Sequence, residues 1–180
     1  MCWSFKILVG LLFAAAAATA HAQDKPMNFA GKRALIMDVS PYVEITSFSW
    51  QRRYAGNRGV RLEENFSYRN KSDKAVVALE IVILKYDAFN RNLVGARGTI
   101  PGVDSANYTA LRPGQTGSDG FGGHDEDSLF TSLIYVRHVR LQDGSVWRAD
   151  LNKVRSELKR LVPDITDPGE VDPKPPKKDG

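Results

Sequence analysis

Twelve residues constrain this chain more than any others: Ala75–Tyr86, written AVVALEIVILKY. The run is long enough for a helix. Its density of valine and isoleucine argues instead for an extended strand, because branching at Cβ restricts side-chain rotation in a helix and packs well on a pleated surface. Read with a period of two, Val77, Leu79, Ile81 and Ile83 share one face, and Val76, Ala78, Val82 and Leu84 share the other, with Glu80 among them. A strand apolar on both faces must be covered on both faces, so it belongs in the middle of a layered fold.

Shorter strand-like segments surround it. Ala34–Met37 is a brief apolar run. Val43–Trp50 is rich in β-branched and aromatic residues, and its alternation breaks near Ser47, which predicts a bulge. Val60–Tyr68 alternates with Val60, Leu62, Phe66 and Tyr68 on one face, interrupted by Glu64. Leu93–Val94 and Tyr108–Leu111 read as short strands, and Leu129–Leu141 as a long one, joined to Val146–Arg148 through Asp143-Gly144, a strong hairpin signal. Asp150 is placed to cap a helix over 150–162, with Leu151, Val154, Leu158 and Leu161 at helical spacing. Short strands separated by Gly, Pro and Asn turns indicate a mainly β fold, an immunoglobulin- or fibronectin-like antiparallel β-sandwich carrying one C-terminal amphipathic helix. The expected domain spans 33–162. A polar segment, 23–32, precedes it. The proline-rich charged tail, 163–180, carries too few apolar residues to pack and is expected to be disordered.

The N-terminus has the three-part order of a secretory signal: Lys6 in a short leading region, an apolar run Ile7–Ala18, then Ala20-His21-Ala22, which predicts cleavage after Ala22. The apolar run is shorter than the roughly 17–25 residues of a membrane span, so the mature chain is not expected to cross the membrane. Cleavage would remove Cys2, the chain's one cysteine. A thiol-free exported domain must hold together by its core alone, and we read the location as periplasmic or secreted. The net charge of +4 is spread along the chain rather than massed, which argues against a nucleic-acid partner.

Three segments together resemble the FxLYD and late-embryogenesis-abundant type of extracytoplasmic β-sandwich: the turn Asn70-Lys71-Ser72, the apolar strand ending Leu84-Lys85-Tyr86-Asp87, and the later turn Leu111-Arg112-Pro113-Gly114. The likeness covers about a third of the chain and departs from the family at Phe89-Asn90-Arg91, where the family has a glycine. It implies a fibronectin-like fold and no particular activity.

Two places carry residues suited to binding. The stretch 117–128 reads as a glycine-rich acidic loop in which Asp119, Asp125 and Asp127 supply the oxygen ligands calcium prefers, although the alternating spacing of an EF-hand is absent and a solvated polar loop fits as well. Trp50, Arg52, Arg53 and Tyr54 join aromatics to cations before a turn, a composition suited to a partner surface; the competing reading packs Trp50 in the core and leaves the arginines in water. Serine, histidine and aspartate occur, but no Gly-x-Ser-x-Gly elbow, phosphate-cradling loop or suitably facing carboxylate pair does. The expected function is therefore a non-catalytic, envelope-located interaction module. The alternative is a divalent-metal or small-ligand binder using the acidic loop.

Overall fold

In the computed structural model, residues 32–54, 56, 59–93, 95–101, 109–124 and 128–174 are described. Ala22 and the segment around it, Asp125 and Asp127, and residues 175–180 lie outside them. The elements run in the order β1 (Arg33–Ile36), β2 (Val43–Tyr54), β3 (Val60–Asn70), β4 (Val76–Asp87), β5 (Ala96–Pro101), β6 (Thr116–His124), β7 (Leu129–Leu141), β8 (Val146–Arg148) and α1 (Leu151–Leu161). Among the described residues no helix is long and apolar enough to cross a membrane.

The strands form two sheets. One is ordered β2-β3-β6; the other is β1-β7-β4-β5, with β8 also paired to β7. Taking β2, β3 and β6 as strands A, B and E, and β5, β4, β7 and β8 as C′, C, F and G, gives the two-sheet connectivity of an immunoglobulin-type sandwich. The sheet containing β4 is mixed rather than wholly antiparallel, because β1 runs parallel to β7. Strand β1 pairs with Arg33 to Ile36 against Thr131–Ile134 of β7, and β8 pairs with residues 138–140 further along, so the two short strands share one edge of β7.

Strand β4 is central, flanked by β5 and β7. Leu79, Ile81 and Ile83 face the other sheet, where they meet Val43, Phe66 and Tyr68. Val82, Leu84 and Tyr86 face outward and are covered by α1 and the segment after it, through Val154, Leu158 and Ile165. Val76 departs from the simple alternation. A register shift between Val76 and Ala78 turns it toward the inter-sheet core, where it is fully buried. The break expected near Ser47 is present as a register shift between Ile45 and Ser47. A further shift sets Glu80 opposite His138 and Ile81 opposite Val136, leaving Arg137 as the extra residue of a bulge.

Other expectations are corrected. The stretch 117–128 is not a loop at its start: Thr116–His124 is strand β6, paired antiparallel with β3. Its glycines are strand residues because β3 needs the space. A Cβ on Gly117 would collide with the Tyr68 ring, and one on Gly120 with the Glu64 carbonyl and the Asn65 side chain. Strand β5 begins at Ala96, beyond the expected Leu93–Val94. Of the expected strand Tyr108–Leu111, Tyr108 lies outside the described residues, and Leu111 makes an isolated bridge to Val76. Helix α1 fits its expected span, with the Asp150 carboxylate accepting the Asn152 N–H at 2.9 Å. Residues 163–174 form neither helix nor strand, and within them Ile165, Val171 and Pro173 are buried against the sheet.

Candidate interaction surfaces

The outer face of the β2-β3-β6 sheet is polar and small. Ser47 and Ser49 of β2, Asn65 and Ser67 of β3, and Ser118 of β6 line a shallow depression of about 350 Å³. It is shallow because side chains this short leave the backbone near the surface. Within the sheet order, β6 is an outer strand. Asp119, half-buried opposite Phe66, accepts the Gly120 N–H at 2.7 Å. It is the one expected calcium ligand among the described residues; Asp125 and Asp127 fall outside them. No cluster of three or more potential metal ligands occurs among the described residues.

The expected aromatic–arginine patch at the end of β2 divides between two environments. The Trp50 ring is half-buried, its Nε1 donates to the Arg33 carbonyl at 3.1 Å, and the Lys32 ammonium lies 4.7 Å from its centroid. Arg52 is buried at 6% exposure. It stands directly across from Leu62, so it shares the inward face of the sheet. Arg53 points the other way and pairs with Glu63 at 3.3 Å in a partly exposed ion pair. Tyr54 is exposed. Tyr54 and Arg53 therefore lie at the surface, while Trp50 and Arg52 are engaged within the fold.

Arg52 is not the only charge in the interior. Glu64 of β3 and Lys85 of β4 face each other between the sheets with 3.5 Å between Lys85 Nζ and Glu64 Oε2, and they are 3% and 8% exposed. The fully buried Ser132 hydroxyl donates to Glu64 Oε1 at 3.3 Å. The inward position of Glu64 was visible in the alternation of β3; its partner on β4 was not.

A second polar cluster lies on the outer face of the five-stranded sheet; its members come from four separate segments of the chain and carry no composite sequence signal. Glu80 of β4 holds Arg97 of β5 in a forked pair at 2.5 and 2.9 Å and contacts His138 of β7 at Nδ1. Arg137 of β7 forks onto Asp172 at 2.8 and 2.9 Å, and Arg97 adds a third contact to the same carboxylate at 3.2 Å. Burial alone would raise the Glu80 carboxyl, but hydrogen bonds from Arg97 and His138 hold it below its ordinary value. The Arg137 hydrogen bonds hold Asp172 low against a smaller opposing effect of burial. Burial pushes His138 down, with Glu80 opposing. Facing a carboxylate, Nδ1 carries the proton, and the buried Nε2 has no hydrogen-bond partner among the described residues. His138 is thus half-buried in an ion-pair cluster rather than a plain surface residue.

No family model matches the chain, and no curated protein matches it. Among solved structures, a hypothetical protein of Peptoclostridium difficile 630 is similar, with 17% identity and a TM-score of 0.48 over 65% of this chain and 92% of that one. A structural-genomics target of the Northeast consortium is similar at 12% identity and a TM-score of 0.35, over 59% of this chain and 78% of its own.

The motifs behind the family resemblance meet physically. Asn70 is fully buried, and its Nδ2 donates to the carbonyls of Lys74 (2.8 Å) and Leu111 (2.9 Å) while its Oδ1 accepts from Ser72. The Gly114 N–H returns to the Asn70 carbonyl at 2.8 Å. One asparagine therefore ties the Asn-Lys-Ser turn to the Leu-Arg-Pro-Gly turn. Asp87 closes the next turn by accepting the Phe89 and Arg91 N–H groups at 2.8 and 2.9 Å.

Proposed function

We propose that this chain is an exported, non-catalytic interaction module that docks another envelope protein by strand addition at β6. A strand at the edge of a sheet is a template for another chain, and proteins ordinarily protect such edges with lysine, proline, bulges or covering segments. Strand β6 reads TGSDGFGGH and carries neither lysine nor proline. One observation carries the reading. Gly117 and Gly120 are explained by β3 side chains and backbone pressing on them, but at Gly122 and Gly123 a Cβ would meet nothing within 4 Å, and neither has a left-handed backbone. Nothing described inside the molecule requires glycine there. Close approach of another backbone would. The small-residue face beside it would let a partner lie flat.

The test places a photo-crosslinking residue at Thr116, at the start of β6, in cells, with and without Gly122→Lys. Because the site is open, the lysine should leave stability within about 0.5 kcal/mol while removing the crosslinked adduct. An adduct that persists unchanged in the lysine variant, or no adduct from Thr116 under any condition, refutes strand addition at β6.

A further inference from the structure

The segment after α1 is held in the manner of a bound peptide. Tyr86 Oη donates to the Pro168 carbonyl at 2.8 Å, Tyr135 Oη to the Val171 carbonyl at 2.5 Å, and Arg97 Nη1 to the Pro173 carbonyl at 3.5 Å. Val171 is buried, and the Pro173 ring sits where a Cβ on Gly95 would go. Gly169 adopts a φ of +61° against Asn92, where any side chain would collide. Asp172 enters the fork of Arg137 and the reach of Arg97. In each of these hydrogen bonds the donor is a side chain of the sheet and the acceptor lies on the segment. The receptor reads backbone carbonyls, one carboxylate and two apolar positions.

Both arginines of that receptor also have partners outside the segment. Arg97 is held through Nε and Nη2 by Glu80, leaving Nη1 for the segment. Arg137 is held through Nη1 by the Ala149 carbonyl at 3.2 Å, leaving Nε and Nη2 for Asp172. Both tyrosine rings pack in the layer that α1 residues Val154 and Leu158 share with Ile165 and Val171. Groups fixed by partners of their own keep their aim when the ligand leaves, which lowers the cost of taking up another. Forked arginines select a carboxylate over a neutral amide, and the apolar seats on either side of it select small aliphatic residues and proline.

We propose that this outer face is a binding site for an extended acidic peptide of the form Gly-x-Val-Asp-Pro, occupied in cis by residues 168–173 and open to the same chemistry in trans once that segment is displaced. The cis segment is then an autoinhibitory plug. The site lies on the sheet opposite to β6, so its fate and that of strand addition are independent.

The test uses full-length chains and a fluorescent peptide spanning Asp167–Lys174, followed by anisotropy. The variants are Asp172→Ala and the double variant V171S/D172A, which removes both the charged anchor of the plug and the apolar side chain that fills its seat. The peptide should bind the double variant at least about tenfold more tightly than the wild type, since apparent affinity falls with the fraction of open receptor. Replacing the second of the peptide's two aspartates, the one equivalent to Asp172, by alanine should weaken binding about 10- to 100-fold, and adding R137Q to the double variant should do the same. If the double variant, shown folded by circular dichroism, takes up peptide no better than wild type, the proposal fails. Equal binding of the alanine peptide also overturns it.

Discussion

Removing the Lys85 ammonium while leaving Glu64 in place should produce a large loss of stability. The two side chains sit between the sheets, 8% and 3% exposed, and 3.5 Å apart. Lys85→Met keeps the length and apolar stem of the side chain and takes the ammonium away from a carboxylate that water hardly reaches. Breaking one member of a buried pair costs about 3–5 kcal/mol, because the remaining charge stays desolvated after losing that partner. The Ser132 hydroxyl still donates to Glu64 Oε1 and offsets part of this, so we expect the lower half of that range. At about 2–4 °C per kcal/mol for a chain of this size, the melting temperature should fall by roughly 10 °C.

The double variant E64Q/K85M decides the cause. With both charges gone and a neutral amide left beside Ser132, most of the penalty should disappear, and the double variant should lose only about 1–2 kcal/mol. Urea unfolding of the wild type, E64Q, K85M and the double variant, followed by far-UV circular dichroism, gives the cycle, with an expected coupling of about 2 kcal/mol. A Lys85→Met cost below 1 kcal/mol with additive single effects would show that water reaches this end of the interior and that the pair does not act as a buried one.

Three further outcomes follow from the same packing. Asn70→Ala should cost about 2–4 kcal/mol in urea unfolding, because two backbone carbonyls lose their donor at a fully buried position; a cost under 1 kcal/mol would remove Asn70 as the tie between the two turns. Gly98→Ala should destabilise by about 1–3 kcal/mol, since its Cβ would enter the Phe121 ring that closes β5 against β6, and Phe121→Ala added to it should not cost more than Phe121→Ala alone. Stability should fall on acidification: Glu80 and Asp172 titrate below their ordinary values and His138 below its own, so in each case the unfolded chain takes up its proton first. The contribution of the cluster is complete above the ordinary histidine value and is lost first through His138 and then through the carboxylates. A urea midpoint that rose between neutral pH and about pH 4 would contradict the assigned directions.

What the sequence made legible, and what it hid, divides along one physical line. Features written in a single segment were readable: the two apolar faces of β4, the bulge at Ser47, the Asp143-Gly144 hairpin and the cap at Asp150 each need no knowledge of a neighbour. Features whose cause lies on another strand were not. The glycines of β6 looked like a loop because the reason for two of them, the Tyr68 ring and the Asn65 side chain, sits on β3. Val76 was assigned to the wrong face because the register shift beside it is settled by pairing with β7. The seat of Val171 was hidden for the same reason, since the donors that fix its neighbours come from Tyr86, Tyr135, Arg97 and Arg137 on the sheet. The same line bears on function. Gly122 and Gly123 are the β6 glycines for which no described neighbour supplies a cause. If a residue's type is set by what presses against it, the cause for these two belongs to a surface outside the described fold, and that is where a partner should be sought.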